Sequence, residues 1–431
     1  MEPKILIIGA GPVGLSTAIG FAYRGYNVVC YDIDKERMKA LRSGVSPIYE
    51  FELQNYIDLL KNNLKFVDDP CAAFAETNMF FIAVGTPLGN NNNVDMSAFW
   101  SAVSLIEKHV CRDSIIVIKS TVPIGTNKKV RQYITRSAIP YKIDVISNPE
   151  FLAQGTSVSD TINATRIVIG YNNEDSRDAI LEVYKGFDCE KVVTTPESAE
   201  LIKYESNCYL AMRVSFVNDL AVICDLVGAD IRAVVKGLSL DPRIGDLYFS
   251  PSFGYGGSCF PKDTVCFHQQ MQTEYGHELE LIEATVDINK RQSLLLCRKI
   301  VKRHGNLFEK NICVLGLSFK KNTDDVRNSL AVDIISYFID NGANVVTWDP
   351  VAEHNGRKIF GNRIKYASSI EEAVNGNDIV LIATDWNEIV NMPLSLLNGK
   401  SVYDGRNCLL GRLDDIDFEY TYIGGCNKYA K

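Results

Sequence analysis

Residues 254–263, GYGGSCFPKD, set Cys259 between a run of glycines and a Phe-Pro-Lys-Asp sequence. Pro261 suits the first position of a helix, so Cys259 would precede a helix N-terminus, where unpaired amides and the helix dipole favour a thiolate. The glycines let a substrate approach the sulfur closely. Asp263, near the same helical face, could hold a water molecule or transfer a proton. The segment predicts a nucleophilic thiol, and the alternative is a buried apolar cysteine in a glycine-rich loop.

A second pair of polar residues, Lys203 and Asn207, stands four residues apart in KYESN. This spacing puts both side chains on one face of a helix. Lys203 could accept a hydroxyl proton or stabilise a developing oxyanion, to which Asn207 could donate a second hydrogen bond. Alone, such a pair is more typical of a solvated helix surface.

The sequence GAGPVG at residues 9–14 follows an apolar strand and opens a helical pattern, and Asp32 ends the next strand. The glycines permit a tight turn, so a pyrophosphate can lie at the helix N-terminus while Asp32 accepts hydrogen bonds from ribose hydroxyls. Asp32 would repel the extra phosphate of NADP, so the pattern predicts NAD as the cofactor. Arg37 either flanks the adenosine or is a solvated side chain.

A dinucleotide site and a reactive thiol in one chain together favour oxidation through a sulfur-bound intermediate. An aldehyde that adds to the thiol of Cys259 forms a thiohemiacetal, which can give up hydride to NAD. The resulting thioester is hydrolysed to an acid. The remaining chemistry needs a base and an oxyanion partner, which Lys203 and Asn207 could supply.

The elements that must position these groups follow an α/β pattern. Strand-like runs such as KILIIG, NVVCYD and MFFIAVGTP alternate with helical stretches over the first 170 residues, and similar runs resume with NICVLGLSF and NVVTWDP. This alternation predicts parallel sheets covered by helices. A long helix is predicted from about Ala199 to Lys236, and more helix near residues 279–304. We therefore expect two Rossmann-like parallel-sheet domains joined by a long central helix, divided as residues 1–198, 199–307 and 308–431.

The composition argues against several other classes of protein. A chain of 431 residues is too long for one ordinary core, and its net charge of -8 without a basic run disfavours nucleic-acid binding. The twelve cysteines form no Cys-x-x-Cys pair, which disfavours zinc and a disulfide framework. Apolar runs fall short of the roughly 20 residues that span a bilayer, and glycines interrupt the apolar N-terminal stretch. We expect a cytoplasmic protein with reduced thiols, no metal site and no membrane association.

A series of motifs, in one order along nearly the whole chain, resembles the UDP-glucose dehydrogenase family, within the UDP-glucose/GDP-mannose dehydrogenase superfamily. The motifs are GAGPVG, VGTP (84–87), STVPIGT (120–126), NPEFL (148–152), ELIKYESN (200–207), DPRIG (241–245), GYGGSCFPKD, LGLSFKKNTDDVR (315–327) and DGRN (404–407).

The resemblance implies an NAD-dependent, four-electron oxidation of UDP-glucose at C6 to UDP-glucuronate, with Cys259 as the nucleophile of the second half. The product could feed polysaccharide biosynthesis, sugar interconversion or conjugation. NPEFL is less like the branches that oxidise N-acetylated sugars, and SCFPKD with DGRN favours UDP-glucose. GDP-mannose and UDP-N-acetylhexosamine remain alternative substrates. A single oxidation that stops at the aldehyde and a catalytically inactive nucleotide-binding protein remain alternative functions.

The family's functional residues carry over onto matching positions of this chain. Its catalytic residues, with Glu150 as a base and Thr121 as a water-positioning residue, match Cys259, Lys203, Asn207, Asp263, Glu150 and Thr121. Its cofactor contacts match Gly9, Gly11, Val13, Gly14, Asp32, Arg37, Thr86, Thr121, Gln154, Lys262 and Arg327. Its substrate contacts match Glu150, Phe151, Leu152, Lys203, Asn207, Arg243, Tyr248, Phe249, Ser250, Ser252, Gly256, Phe319, Lys320 and Arg406.

The family architecture further implies a homodimer or a higher homo-oligomer. The central helix would build the interface, and Arg243 would serve the site of the neighbouring subunit. One position departs from the family pattern, because Gln154 stands where many relatives carry Glu. A neutral amide there replaces a carboxylate near the cofactor, so cofactor affinity is expected to differ.

Overall fold

The structure, a computed structural model, describes residues 4–413 and 416–425. The chain divides into two compact units, Met1–Ser206 and Asn207–Lys431. Each unit is built around its own sheet, with helices connecting successive strands.

The strands are β1 (Ile5–Ile8), β2 (Val28–Tyr31), β3 (Leu64–Val67), β4 (Met79–Ile82), β5 (Ser114–Ile118), β6 (Ile143–Ser147), β7 (Arg166–Gly170), β8 (Glu190–Thr194), β9 (Asn311–Leu315), β10 (Asn344–Trp348), β11 (Lys365–Tyr366), β12 (Ile379–Ile382), β13 (Ser401–Asp404) and β14 (Glu419–Tyr422). The helices are α1 (Pro12–Ala22), α2 (Lys35–Arg42), α3 (Leu53–Leu59), α4 (Pro70–Ala75), α5 (Ser97–His109), α6 (Thr126–Arg136), α7 (Ser157–Ile162), α8 (Glu174–Val183), α9 (Pro196–Val227), α10 (Ile231–Ser239), α11 (Phe260–Tyr275), α12 (Glu280–Ser293), α13 (Leu295–His304), α14 (Leu330–Asp340), α15 (Glu353–Phe360), α16 (Ile370–Val374) and α17 (Asn387–Val390). Short 3₁₀ turns cover Asn90–Asn92, Leu394–Leu397 and Leu410–Arg412.

The first unit contains an eight-stranded sheet in the order β3-β2-β1-β4-β5-β6-β7-β8. Its neighbouring strands are parallel, except that β6 and β7 meet antiparallel. Successive residues of β1 enter opposite cores: Ile5 and Ile7 pack on one face of the sheet, and Leu6 and Ile8 on the other. Burial on both faces explains why this strand reads as a continuous apolar run.

The second unit contains a six-stranded parallel sheet in the order β11-β10-β9-β12-β13-β14. The first six strands of each unit therefore follow the same order, third-second-first-fourth-fifth-sixth, which is that of a dinucleotide-binding fold. The predicted fold class is confirmed. The sequence shows no internal repeat, so the duplication is one of topology.

The long helix α9 begins at Pro196 and ends at Val227. Its predicted continuation to Lys236 is wrong, because Gly228 takes a φ of +75° and the chain restarts as α10 with the Asp230 side chain capping the backbone of Arg232. The Ser206–Asn207 boundary between the units falls inside α9. The division into residues 1–198, 199–307 and 308–431 stays a prediction.

Membrane-spanning helices, disulfides and metal-binding clusters are absent from the part of the chain that the structure describes. Within residues 4–413 and 416–425, no helix is long and apolar enough to cross a membrane. No disulfide joins the cysteines of these residues. No group of three or more His, Cys, Asp or Glu side chains there is arranged to hold a metal ion.

Candidate functional site

The predicted site residues fall into two groups, one in each unit. The first unit carries Gly9, Gly11, Val13, Gly14, Asp32, Arg37, Thr86, Thr121, Glu150, Phe151, Leu152, Gln154 and Lys203. The second carries Asn207, Arg243, Tyr248, Phe249, Ser250, Ser252, Gly256, Cys259, Lys262, Asp263, Phe319, Lys320, Arg327 and Arg406.

The turn between β1 and α1 has the shape that a pyrophosphate needs. Gly9 takes a φ of +105°, and a Cβ on it would lie 2.6 Å from the carbonyl oxygen of Ala83. A Cβ on Gly14 would lie 1.8 Å from the carbonyl oxygen of Gly9, so glycine is required for the turn to close. Around Gly11, in contrast, nothing lies within 4 Å of an added Cβ. The turn is therefore tight on the protein side and open at the N-terminus of α1, which fits the phosphates of NAD.

Asp32, directly after β2, is fixed beside this turn and is only 8% exposed. Its Oδ2 atom accepts hydrogen bonds from the backbone of Ala10 (2.7 Å) and from Nη1 of Arg37 (3.0 Å). Its Oδ1 atom accepts from the backbone of Asp34 at 2.9 Å. Arg37 is thus the ion-pair partner of the carboxylate that is predicted to bind the ribose.

The motifs VGTP and STVPIGT meet where β4 and β5 end. The hydroxyl of Thr86 donates to the carbonyl oxygen of Thr121 at 2.7 Å, and the hydroxyl of Ser120 donates to the carbonyl oxygen of Val84 at 2.7 Å. The two predicted threonines therefore lie together at the carboxyl edge of the sheet, where ligands bind in doubly wound folds. Gln154 is half-buried in the turn before α7.

Glu150 and Lys203 form a buried ion pair. Nζ of Lys203 lies 2.9 Å from Oε1 of Glu150, and the side chains are 4% and 7% exposed, respectively. Oε2 of Glu150 accepts from the backbone of Leu152 at 2.5 Å. Burial alone would raise the pKa of Glu150, but the charge and hydrogen bond of Lys203, with a smaller contribution from Lys119, outweigh it and lower the pKa. Glu150 is therefore ionised. The ring centroid of Phe151 lies 5.7 Å from Nζ of Lys203.

In the second unit, Asp263 is held at both carboxylate oxygens. Its Oδ2 atom accepts from Nδ2 of Asn207 at 2.6 Å, and its Oδ1 atom pairs with the ammonium group of Lys262. Asp263 is 1% exposed. The structure thus joins Asn207, on α9, to two residues of the cysteine segment, a link that the sequence spacing did not reveal.

Cys259 is the N-cap residue of α11 and is exposed. The helix begins at Phe260, so Pro261 is its second residue rather than its first. The backbone amide of Asp263 donates to the carbonyl oxygen of Cys259 at 2.8 Å, which makes Cys259 the start of the helical hydrogen-bond ladder. An exposed sulfur at the positive end of a 16-residue helix is in a position that favours the thiolate. The alternative of a buried apolar cysteine is wrong for this residue.

The glycine-rich segment before Cys259 is held by side-chain amides. The backbone of Ser252 donates to Oδ1 of Asn218 and accepts from Nε2 of Gln292, both at 2.8 Å. The backbone of Tyr255 donates to Oδ1 of Asn289 (2.8 Å) and accepts from its Nδ2 (2.9 Å). The side-chain amides thus satisfy backbone N–H and C=O groups that, in a sheet, a neighbouring strand would pair. Sequence reasoning missed all three, because a single amide on a helix carries no motif signal.

The glycines also let two other segments approach this loop. A Cβ on Gly256 would lie 2.2 Å from the carbonyl oxygen of Asn328, and a Cβ on Gly257 would lie 2.7 Å from the ring of Phe319. Nδ2 of Asn328 donates to the carbonyl oxygen of Gly257 at 3.1 Å. The glycine-rich loop before Cys259 and the LGLSFKKNTDDVR motif are therefore packed directly against each other.

The arginines predicted to contact the substrate, Arg406 and Arg243, and the one predicted to contact the cofactor, Arg327, differ in their surroundings. Arg406 is half-buried, and the loss of water around its guanidinium group lowers its pKa. The guanidinium donates to the carbonyl oxygens of Ala383 (2.9 Å) and Phe319 (2.7 Å). Arg327 forms a bidentate ion pair with Asp325. Asp325 was not identified as a candidate residue from the sequence. The side chain of Arg243 is 87% exposed and pairs with its near neighbour Asp241.

A cavity of about 560 Å³ in the second unit brings two predicted substrate residues together. It is lined by residues of α10 and of the segments after it, among them Ser250 and Arg406. Phe249 is 3% exposed and lies 5.3 Å beneath the guanidinium of Arg213. Tyr248 takes a φ of +57° and is 42% exposed. Nζ of Lys320 lies 5.7 Å from the ring of Phe319.

Comparison with known proteins gives consistent results along the chain. Residues 3–188, 197–291 and 313–410 match, in turn, the NAD binding, central and UDP binding domains of the UDP-glucose/GDP-mannose dehydrogenase family. UDP-glucose 6-dehydrogenase YwqF of Bacillus subtilis (strain 168) is 39% identical over 94% of this chain and 93% of its own length.

Solved structures extend the likeness to the fold. A UDP-glucose dehydrogenase from Pyrobaculum islandicum matches with a TM-score of 0.93 and 34% identity, covering 99% of this chain and 98% of that one. A UDP-D-ManNAc dehydrogenase from Pyrococcus horikoshii matches with a TM-score of 0.86 and 27% identity, covering 98% and 99%. From the three domain matches and the relatives that align over nearly its whole length, the chain belongs to the UDP-glucose/GDP-mannose dehydrogenase family and is an NAD-dependent dehydrogenase.

Proposed function

We propose that this chain oxidises the C6 hydroxyl of UDP-glucose to the carboxylate of UDP-glucuronate through a thioester on Cys259. The observation that carries the proposal is the exposed sulfur of Cys259 at the N-terminus of α11, one helical turn before the buried carboxylate of Asp263. The match to a UDP binding domain and the names of the relatives support UDP-glucose as the substrate.

The cofactor is assigned to the first unit. The open N-terminus of α1 at Gly11 would hold the pyrophosphate, and Asp32 the ribose hydroxyls. When bound there, NAD supplies a hydride acceptor. Thr86 and Thr121, at the carboxyl ends of β4 and β5, line the edge of the sheet that doubly wound folds use for their ligands.

The first half-reaction converts the C6 alcohol to an aldehyde. It needs a group that accepts the hydroxyl proton as hydride leaves C6. The buried Glu150–Lys203 pair suits this role, because the ionised carboxylate can take a proton that Lys203 relays from the substrate. Thr121 would position the water molecule that completes the relay.

The second half-reaction adds the thiolate of Cys259 to the aldehyde carbon and forms a thiohemiacetal whose oxygen carries the developing negative charge. The side chains of Asn207 and Lys203 would donate hydrogen bonds to this oxygen. Loss of hydride gives a thioester, and water held by Asp263 hydrolyses it to the acid and the free thiol. One alcohol, two NAD and one water thus yield one carboxylate, two NADH and three protons.

The second unit is assigned to the UDP moiety. A cationic, arginine-rich site suits a diphosphate, because guanidinium groups pair with phosphate oxygens. Arg406 fixes the carbonyl of Phe319 and so positions the segment that presents Lys320. The cavity next to Ser250 gives the nucleotide a concave surface in the same unit.

The homodimer is part of the proposal. Tyr209, Phe216 and Ile223 stand seven residues apart on α9 and are 55%, 56% and 48% exposed. A seven-residue spacing aligns apolar side chains along one helix face, as at helix–helix interfaces. This stripe supports pairing of two copies through the central helix. A cytoplasmic location also stays a prediction.

The first test counts NADH formed per UDP-glucose by the purified protein. We expect two NADH, against one for a reaction that stops at the aldehyde. Cys259→Ser should lower the rate of complete oxidation by about a thousandfold, because serine is a far weaker nucleophile at neutral pH, and mass spectrometry should find an ester adduct on Ser-substituted protein.

Cys71→Ser, which removes an exposed thiol elsewhere, is the matched control and should behave as the wild type. GDP-mannose and UDP-N-acetyl sugars serve as control substrates. One NADH per UDP-glucose, or turnover with only another sugar nucleotide, would overturn the mechanism or the substrate, respectively.

A further inference from the structure

Lys119 lies directly after β5 and before the STVPIGT motif, and the function proposed above gives it no role. Its Nζ atom donates to Oδ1 of Asn148 (3.2 Å) and to the carbonyl oxygen of Pro149 (3.4 Å). These two residues immediately precede Glu150. Lys119 therefore ties the end of β5 to the backbone from which Glu150 projects.

Asn148 is itself fully fixed, so the tie is rigid. Asn148 is 0% exposed. Its Nδ2 atom donates to the carbonyl oxygen of Val168 (2.8 Å), and its backbone amide donates to the carbonyl oxygen of Ile118 (2.8 Å). Its Oδ1 atom also accepts the hydroxyl of Tyr184 at 2.5 Å. Lys119 and Tyr184 thus share one acceptor, but only Lys119 carries a charge.

The charges around Lys119 are unequal. The groups that face it are Glu150 on the loop after β6, Lys203 on α9 and the ring of Tyr184 after α8, whose centroid lies 5.9 Å from Nζ. Two ammonium groups therefore surround one carboxylate. Burial lowers the pKa of Lys119 to about 8, with Glu150 opposing the shift and Lys203 adding to it.

We propose that Lys119 is a positioning residue of this reaction, which holds the backbone that aims Glu150 at Lys203 and places a second positive charge beside that pair. The inference rests on the proposed function for the step it serves. A neighbouring positive charge makes an ammonium group release its proton more readily. Lys119 would thereby make it easier for Lys203 to give up its proton, which the first half-reaction requires.

The test compares Lys119→Met, Lys119→Arg and Tyr184→Phe by kcat, KM and pH profile. Lys119→Met should lower kcat about tenfold to a hundredfold, with KM for UDP-glucose within about twofold, since the residue acts on proton transfer. In this variant the pH at which kcat falls on the acid side should rise by about one unit, because the charge that helps Lys203 lose a proton is gone. Lys119→Arg keeps the charge and should keep the wild-type profile at reduced kcat.

Tyr184→Phe is the matched control, since it removes an uncharged hydrogen bond to the same oxygen and should leave the pH profile unchanged. A structural role alone would lower the thermal stability of all three variants without moving any profile. An unchanged profile in Lys119→Met, or the same shifted profile in Lys119→Arg, would overturn the inference.

A second readout separates this inference from the proposed function. NMR titration of protein labelled with ¹³C at lysine Cε, with Lys203 assigned through Lys203→Met, measures the pKa of Lys203 without turnover. Lys119→Met should raise it by about one unit; no change would contradict the role of Lys119. If the wild type yields a number other than two NADH per UDP-glucose, the proposed function is overturned. The titration still tests whether Lys119 acts on Lys203.

Discussion

At the scale of single residues, the Asp32–Arg37 pair bears on the choice of cofactor. The carboxylate of Asp32 is held by the backbone of Ala10 and by Arg37 at 3.0 Å. We predict that it contacts the ribose, where its charge would repel the 2′-phosphate of NADP. We expect Asp32→Ser to raise the ratio of kcat/KM for NADP to that for NAD about tenfold to a hundredfold, since it removes the repelling charge and leaves Arg37 available to the phosphate.

Initial rates with each cofactor measure this ratio. Asp34→Ser is the matched control, because Asp34 also lies near Arg37, at 3.8 Å, but its carboxylate caps α2 by accepting from the backbone of Arg37. Unchanged cofactor preference in Asp32→Ser would show that Asp32 does not contact the ribose.

Residues that act through a local spacing could be predicted from the sequence. Cys259 and Asp263 are separated by one helical turn, and their relation follows from α11 alone. The bond from Asn207 to Asp263 joins residues 56 positions apart, so no local pattern contains it. Lys119 was missed for a related reason, since a lysine at a strand end is usually solvated, and only the fold shows that it is half-buried beside Asn148.

At the scale of elements, α9 fixes the beginning of α6 through Glu200. Oε2 of Glu200 accepts from the backbone of Gly125 (2.6 Å), and Oε1 from that of Asn127 (2.9 Å), so this carboxylate caps the helix that follows the STVPIGT motif. Burial raises the pKa of Glu200 to about 7, although these hydrogen bonds oppose the shift.

This raised pKa makes stability depend on pH. The unfolded chain ionises Glu200 near its ordinary value of 4.5, whereas the folded chain keeps the proton up to about 7. The contribution is therefore full below pH 4.5 and is lost as the pH rises through 7. For this group alone we expect the free energy of unfolding to fall by about 3 kcal/mol between pH 4.5 and pH 8.

Urea unfolding at several pH values checks the expectation. Glu200→Gln cannot ionise, so its stability relative to the wild type should improve as the pH rises across this window. Glu36→Gln, an exposed change in the first turn of α2 that does not act on Glu200, should run parallel to the wild type. Equal slopes for Glu200→Gln and the wild type would mean that Glu200 is ionised throughout.

Elements buried on both faces were the easiest to predict. β1, β4 and β5 read as apolar runs because both sides of each strand face a core. The strands β3, β8, β11 and β14 were not predicted. Of these, β8 consists only of exposed and half-buried residues, so its sequence EKVVT carries little of the apolar signal on which the prediction depends.

At the scale of the whole molecule, the two units share one strand order, and each has an aspartate directly after its second strand. Asp349 follows β10 as Asp32 follows β2, and each carboxylate accepts hydrogen bonds from the backbone of the loop after the first strand of its unit, Asp349 from Leu317 and Ser318. The further partners differ, because Asp349 accepts from the indole nitrogen of Trp386 at 3.1 Å, whereas Asp32 pairs with Arg37. The match to an NAD binding domain covers residues 3–188, in the first unit, a difference that the shared connectivity does not encode.

The proposed dimer makes the catalytic site depend on two copies of the chain. Arg243 points into solvent within its own copy, with its side chain 87% exposed, and the stripe of Tyr209, Phe216 and Ile223 leaves α9 free to pair. If Arg243 serves the neighbouring site, a Cys259→Ser copy and an Arg243→Ala copy complement each other. Their heterodimer contains one site with an intact cysteine from one copy and an intact arginine from the other.

Each variant alone should be nearly inactive, because every site in it lacks one of the two groups. Random pairing of equal amounts, after unfolding and refolding together, makes half of the dimers mixed, and each mixed dimer holds one complete site, so about a quarter of the wild-type kcat should return. Light scattering on the same samples measures whether dimers form. Dimers that regain no activity would place Arg243 in its own subunit's site, because only an arginine that serves the partner's site can complete a site in the mixed pair. An Arg243→Ala protein that is fully active alone would place Arg243 outside catalysis.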